Sequence, residues 1–232
     1  VTGVTTGFAD TLEFSVTHAS LDFLKIHDNG IANLDPNAEF TTTSLTADET
    51  ATFYSHGYDQ WGNYIGLTSA NWTGSDVLVG RVTASGHTVT VSPVSVGTGV
   101  ITAAHGSASD DSSGTVTVTP GVASSFEVAF GTSSPVTAGD TFTVTVTARD
   151  GDGNVATGYD GVKNLVWTWN SAIASPNGTV ASTVGNGNRT FTAGVYTSTS
   201  SFALYNDVTT SATLSVSDGS ISGTTASGLS VD

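Results

Sequence analysis

The residues best equipped for chemistry in this chain carry oxygen. Asp150, Asp152 and Asn154 stand at alternate positions of the run Asp150-Gly-Asp152-Gly-Asn154, the spacing with which a loop offers carboxylate and amide oxygens to calcium. The run departs from an EF-hand: position six is Val155, where that loop needs glycine, and no glutamate follows at position twelve. The same residue types also make a turn without metal, because Asp and Asn bond their own backbone and tolerate left-handed conformations. Both readings stand at this point, with calcium as the one cofactor considered. A second acidic group, Ser109-Asp110-Asp111, falls in an expected hairpin loop.

Other chemistry is thinly supplied. The five histidines, His18, His27, His56, His87 and His105, all lie in the first half. Zinc needs several convergent His or carboxylate ligands, and no pair here has suitable hairpin or helical spacing. His56 and His105 are expected to alternate outward along strands, as isolated surface or edge residues. The chain has no cysteine and no Gly-x-Ser-x-Gly elbow to raise a serine nucleophile. No acidic residue sits amid aromatics as a catalytic carboxylate would. No catalytic residue is therefore assigned, and a non-enzymatic protein is expected.

Four tryptophans could stack on sugar rings: Trp61, Trp72, Trp167 and Trp169. Trp167 and Trp169 share parity along a strand, so they face one side, expected to be a core. Trp61 sits in a turn with little core to fill. It is read as a contact with another module or subunit, with carbohydrate as the alternative. Asn177 and Asn188 head loop sequons that could accept glycans; Asn71 heads a third, in a strand.

Composition limits the partners. Only five Lys+Arg face 20 Asp+Glu, for a formal net charge of −15. Phosphate backbones require clustered cations, so nucleic acid is not an expected partner. No apolar run approaches a membrane span, so no insertion is expected. The chain opens at Val1, which is read as removal of a signal peptide. A Thr/Ser/Gly-rich, Lys-poor, Cys-free chain of this kind fits an extracellular or cell-surface protein of a prokaryote.

The elements that must position these residues are strands. Aliphatic residues alternate with Thr and Ser, and 27 glycines punctuate the turns. A junction pattern recurs about three times: Ser113–Val128 at the centre, Asp10–Ile26 at the start and Thr225–Asp232 at the end. Each reads as the last strand of one module running toward the first of the next. The expected organisation is an N-terminal connector strand over residues 1–17 and two modules over residues 18–119 and 120–232. In the first module, strands are expected at Leu21–Ile26, Ser44–Leu45, Thr50–Tyr58, Ser69–Thr73, Val77–Thr83, His87–Val91, Gly99–Ala104 and Thr115–Thr119. In the second they are expected at Ser125–Phe130, Thr141–Ala148, Leu165–Asn170, Gly178–Ser182, Thr190–Thr197, Ala212–Val216 and Gly228–Val231. Short strands at this spacing imply an all-β fold of two tandem Greek-key sandwiches.

Tyr58-Asp-Gln-Trp-Gly-Asn63 aligns with Arg149-Asp-Gly-Asp-Gly-Asn154. Both turns follow an alternating strand and precede a strand carrying Trp. This Asp-x-x-Gly-Asn turn resembles the bacterial Ig-like repeats of invasins, surface adhesins and cell-wall proteins. The hairpin Ser211–Thr224 looks like the closing hairpin of such repeats. The resemblance covers both modules, the first departing through the insert His27–Phe40. It implies an Ig-like fold and speaks weakly to function. In Gram-positive pilins and adhesins a buried lysine can bond covalently to Asn or Asp. That is the alternative for Lys25 and Lys163, the only lysines, which are otherwise read as charges guarding strand edges.

Leu12, Phe14 and Val16 alternate with Thr11, Glu13, Ser15 and Thr17, a closing strand with no module before it. Covering each apolar side chain is worth about 1.5–3 kcal/mol. The strand could pair with its own first module, add to a neighbouring subunit, or be a remnant of a longer protein. The expected function is a self-assembling structural subunit of an extracellular filament, sheath or surface layer, with Leu12, Phe14, Val16 and Trp61 at the assembly interface. An adhesin stalk or carbohydrate-binding accessory module is the alternative.

Overall fold

The computed structural model describes residues 15–31, 35–37, 42–199 and 201–232. The chain is all-β. Its first half holds β1 (Phe23–His27), β2 (Thr42–Thr46), β3 (Ala51–Tyr58), β4 (Tyr64–Leu67) and β5 (Asn71–Gly74). A 3₁₀ turn over Asp76–Leu78 precedes β6 (Val82–Ser85), β7 (Thr88–Val91), β8 (Gly97–Gly99), β9 (Ile101–His105), β10 (Ala108–Ser112) and β11 (Thr115–Thr119). The second half holds β12 (Ser125–Phe130), β13 (Val144–Arg149), β14 (Gly161–Asn170), β15 (Gly187–Phe191), β16 (Val195–Thr197), β17 (Thr213–Ser217) and β18 (Ser222–Thr224).

Alternation explains most of these strands. Successive side chains of a strand point to opposite faces. In β11 Val116 and Val118 are buried while Thr115 and Thr119 are exposed. In β13 Val144, Val146 and Ala148 are buried. In β14 Leu165 and Trp167 point inward between exposed neighbours.

The first half carries a sheet in the order β5-β9-β10-β1-β3-β7-β6, with β4 also on β3, and a second sheet, β2-β11-β8. The second half carries the sheets β12-β13-β16 and β15-β14-β17-β18. Buried apolar residues fall into two separate clusters. One draws on both early sheets, from Leu24 to Val118. The other draws on both late sheets, from Phe126 to Val231. Each is a sheet-on-sheet core of the sandwich kind.

Several strand expectations need correction. Val77–Thr83 is not one strand: its first part is the 3₁₀ turn, where Asp76 takes φ 49°. Thr190–Thr197 is a hairpin, turning at Ala193 (φ 47°) and Gly194 (φ 83°). Gly178–Ser182 holds no strand; Ser182 makes a single bridge to Ala203. β4 and β10 were not expected. His56 does not point outward: it is fully buried, as is Tyr58. The far end of β3 is covered on both faces, by the core on one and on the other by the loop after β1, whose Asn29 carbonyl accepts from His56 Nε2 at 3.0 Å. His27 is buried as well, 4.6 Å from His56 between ring centroids. Lys25 guards no edge: β1 lies inside its sheet, between β10 and β3, and Lys25 Nζ pairs with Asp111 at 3.4 Å.

Candidate functional site

The two Asp-x-x-Gly-Asn turns form the same device twice. After β3, Asp59 turns inward and is fully buried. Its Oδ1 accepts the backbone N–H of Trp61 (3.0 Å) and Asn63 (2.9 Å). Its Oδ2 accepts the Asn63 side-chain amide (2.9 Å) and the backbone N–H of Ala19 (2.9 Å). After β13, Asp150 repeats the pattern. Oδ1 accepts from Asp152 (3.1 Å) and Asn154 (2.8 Å). Oδ2 accepts the Asn154 amide (3.0 Å) and the backbone N–H of Gly121 (2.9 Å). Each aspartate therefore ties down both its own turn and the segment entering its half of the chain.

The electrostatics follow from the donors. Burial raises the cost of charge on Asp59. Asn63 and the backbone N–H groups of Ala19, Asn63 and Trp61 outweigh it and hold the carboxyl down at about 2. Asp150 is lowered by the same opposition, burial against Asn154, Gly121 and Asp152.

This geometry bears on calcium. Both Asp150 oxygens face N–H donors, and a cation there would have to displace them. Asp152 is exposed. Among the described residues no three of His, Cys, Asp and Glu gather to hold a metal ion. Asp150, Asp152 and Asn154 do not fit a calcium site in this arrangement; the carboxylate is an Asx-turn anchor.

Asn154 also reaches into the first half. Its Nδ2 donates to the carbonyl of Val94 at 3.0 Å, and its Oδ1 accepts from the N–H of Val96 at 3.4 Å. The corresponding Asn63 is exposed. Trp61, also exposed at 70%, stands beside it where the second half has Asp152. A cavity of about 480 Å³ opens here, lined by Val16, Thr17, His18, Asn63 and Tyr64.

The remaining sequence candidates lie apart from this face. Trp72 and Trp167 are buried and Trp169 is half-buried, so they form no platform with Trp61. Asn177 and Asn188 are exposed, on a turn and on the sheet-edge strand β15. Lys163 lies over the Tyr159 ring, 4.5 Å from its centroid. Leu12 and Phe14 lie outside the described residues; Val16 is 93% exposed. Another groove, about 690 Å³, lies between the halves beside Pro120–Ala123. Its acids are engaged in structure: Asp48 accepts from Thr46 (2.7 Å), Glu49 from the Thr46 N–H (3.0 Å), and Asp218 from Tyr159 and the N–H groups of Ser220 and Ile221. The sequence reading missed the backbone partners, the N–H donors Ala19, Gly121 and Val96 and the Val94 carbonyl acceptor, because nothing in their residue types marks them.

No protein-family model and no curated protein matches the chain. Among solved structures it is similar to the Escherichia coli adhesin FdeC, at 19% identity and TM-score 0.42, covering 92% of this chain and 66% of that one. It is similar to the Yersinia pseudotuberculosis adhesin InvE at 15% identity and TM-score 0.32, with 80% and 55% covered. Domains 4–9 of the surface layer protein SbsC match at 21% and TM-score 0.31, with 92% and 32% covered. The chain thus spans less than two thirds of each of these structures. A Parabacteroides merdae β-glucuronidase also matches, at 12% identity and TM-score 0.30, with 89% and 24% covered. Likenesses this distant decide nothing about function.

Proposed function

We propose that this chain is a non-enzymatic structural subunit of an extracellular prokaryotic assembly, a filament, sheath or surface layer. Its modules are residues 18–119 and 120–232, and copies join head to tail. One observation carries the reading. Two carboxylates buried among the described residues, Asp59 and Asp150, fix the entry of each half. The second of these turns is also seated on the half before it, through Asn154. In the first turn the corresponding Asn63 is exposed to solvent, beside Trp61. Repeated units that contact their neighbours through one conserved joint are the architecture of arrays, and a heterologous joint that does not close generates fibres.

The test is negative-stain microscopy of concentrated protein beside a variant lacking residues 1–17. Ordered strings or sheets from the full chain, lost on truncation, support the reading. Dispersed particles from both would refute it. A second reading, a carbohydrate-binding accessory module, rests on Trp61, whose exposed ring could stack on a sugar face. Glycan binding abolished by Trp61→Ala with the fold intact would favour that reading instead.

A further inference from the structure

The second half offers a broad face without charge. Its four-stranded sheet, β15-β14-β17-β18, is antiparallel throughout, with unbroken registers. Alternation puts Val162, Asn164, Val166, Thr168 and Asn170 of β14 on the side away from the core. Asn, Ser and Thr residues opposite them on β15, β17 and β18 continue that side.

These four strands contain two charged residues, and both stand on the other side. Lys163 and Arg189 face each other across β14 and β15. Lys163 lies over the Tyr159 ring, and Arg189 donates to the carbonyls of Val184 and Gly185. The acids just beyond the strand ends are engaged as well: Asp160 accepts from the Ala193 N–H at 3.0 Å, and Asp218 from Tyr159. The opposite sheet differs, since its outer side carries Glu127 and Arg149, bonded at 2.7 Å. Copies of formal charge −15 repel one another, and an uncharged face lets two of them touch without setting like charges together.

The polar groups of this face are paired among themselves. Asn170 Nδ2 donates to Ser215 Oγ at 2.8 Å, the Ser215 and Thr224 hydroxyls bond at 2.7 Å, and Ser217 Oγ donates to the Ile221 carbonyl at 3.1 Å. A polar group that keeps its hydrogen bond loses little on leaving water. Val162 and Val166 are 64% and 48% exposed, so covering the face also removes apolar surface from water. The aromatic rings of these strands, Trp167, Trp169 and Phe191, stand on the core side, so the face lacks the flat rings on which sugars stack. Hydroxyls and amides both donate and accept, which makes the face complementary to itself.

We infer that this face pairs with the same face of a second copy about a two-fold axis, with Val166 and Thr168 of β14 near its centre. Such a contact is isologous. At about 3.3 Å per residue and about 4.8 Å per strand the face measures roughly 26 by 15 Å, less than the ~800 Å² a side of a standard interface. One pairing is therefore weak, and aligned strings of copies make many at once. The joining of strings into a layer rests on the head-to-tail reading; the pairing itself does not.

The chain has no cysteine, so one introduced thiol reports the contact. Thr168→Cys, treated at high concentration with a short bismaleimide, should give a covalent dimer. Thr197→Cys, on β16 of the opposite sheet, should stay monomeric. Adding Val166→Glu or Val166→Lys to Thr168→Cys sets like charges against each other across the axis and should lower the dimer yield about tenfold. Mixing the two charged variants should restore it, which separates repulsion from misfolding. Circular dichroism checks each fold, and Asn164→Glu with Asn164→Lys replaces a pair that does not fold. No dimer from Thr168→Cys, a yield that neither charge lowers, or a loss in both folded variants without recovery on mixing would overturn the pairing. Negative stain keeps the two readings apart. Single strings without the crosslink would overturn the pairing and spare the head-to-tail joint, and crosslinked pairs without strings would do the reverse.

Discussion

Asn154 reaches 60 residues back along the chain to donate its amide to the carbonyl of Val94 at 3.0 Å. The same amide also bonds Asp150, which in turn holds the N–H of Gly121. One side chain thus couples a turn, the segment linking the halves, and a loop of the preceding half.

Asp150→Ala removes the acceptor for the N–H of Gly121, Asp152 and Asn154 together. A buried donor left unsatisfied costs about 1–3 kcal/mol, and water can reach the exposed side of the turn. The expected destabilisation is about 3 kcal/mol, with Asp150→Asn milder. Thermal unfolding of both variants measures it, and equal Tm values for Asp150→Ala and the parent would contradict the clamp.

Val16 and Val118 should respond oppositely to the same substitution. Val118→Asp buries an unpaired charge in the first core and should cost about 3–5 kcal/mol. Val16→Asp changes an exposed residue and should stay within about 0.5 kcal/mol, yet suppress association. Circular dichroism melts paired with sedimentation separate the two effects.

Acid should loosen the first half before the second. Burial lowers the pKa of His56; the Asn29 carbonyl acts against this, while His27 and His87 add to it. Its Nδ1 is buried with no partner. A group whose folded pKa is depressed binds its proton more readily unfolded, so its stability is full above the ordinary value of 6.5 and falls as pH drops below it. Asp59 adds stability that is full above the ordinary carboxylate range and is lost as pH falls toward about 2. Chemical denaturation between pH 7.5 and 5 should show a loss confined to the first half, reduced in His56→Gln.

Association should strengthen with salt. Copies of formal charge −15 repel one another, and the Debye length shrinks from about 30 Å at 0.01 M to about 10 Å at 0.1 M. Light scattering at fixed protein concentration should rise across that range. A decrease would point to a joint held by ion pairs.

Trp61 should report on the joint. It is 70% exposed, whereas Trp72 and Trp167 are each 7% exposed. Acrylamide should quench chiefly Trp61 in dilute protein, and the quenching should fall as concentration drives association. Trp61→Ala should remove the concentration dependence.

How much of this was legible in the sequence depends on where the apolar side chains point. β11 and β12 match expectation at both ends, because Thr-Val-Thr-Val-Thr and Ser-Phe-Glu-Val-Ala-Phe alternate cleanly with one buried face. β10, Ala108–Ser112, was hidden because its side chains are half-buried or exposed; backbone pairing alone makes it a strand. His56 was misjudged because alternation assumes one open face, and the loop after β1 covers the second. At the candidate site, the Asp59–Asn63 and Asp150–Asn154 spacings were visible and aligned. Their partners were not, since Ala19, Gly121 and Val94 contribute backbone groups, which any residue type could supply.

Sedimentation velocity over a wide concentration range tests the central claim most directly. A head-to-tail joint whose rotation closes no ring extends without limit, so for a filament, sheath or layer the weight-average sedimentation coefficient should keep climbing with concentration, with no plateau. A single concentration-independent monomer, or a plateau at a closed dimer, would contradict the account.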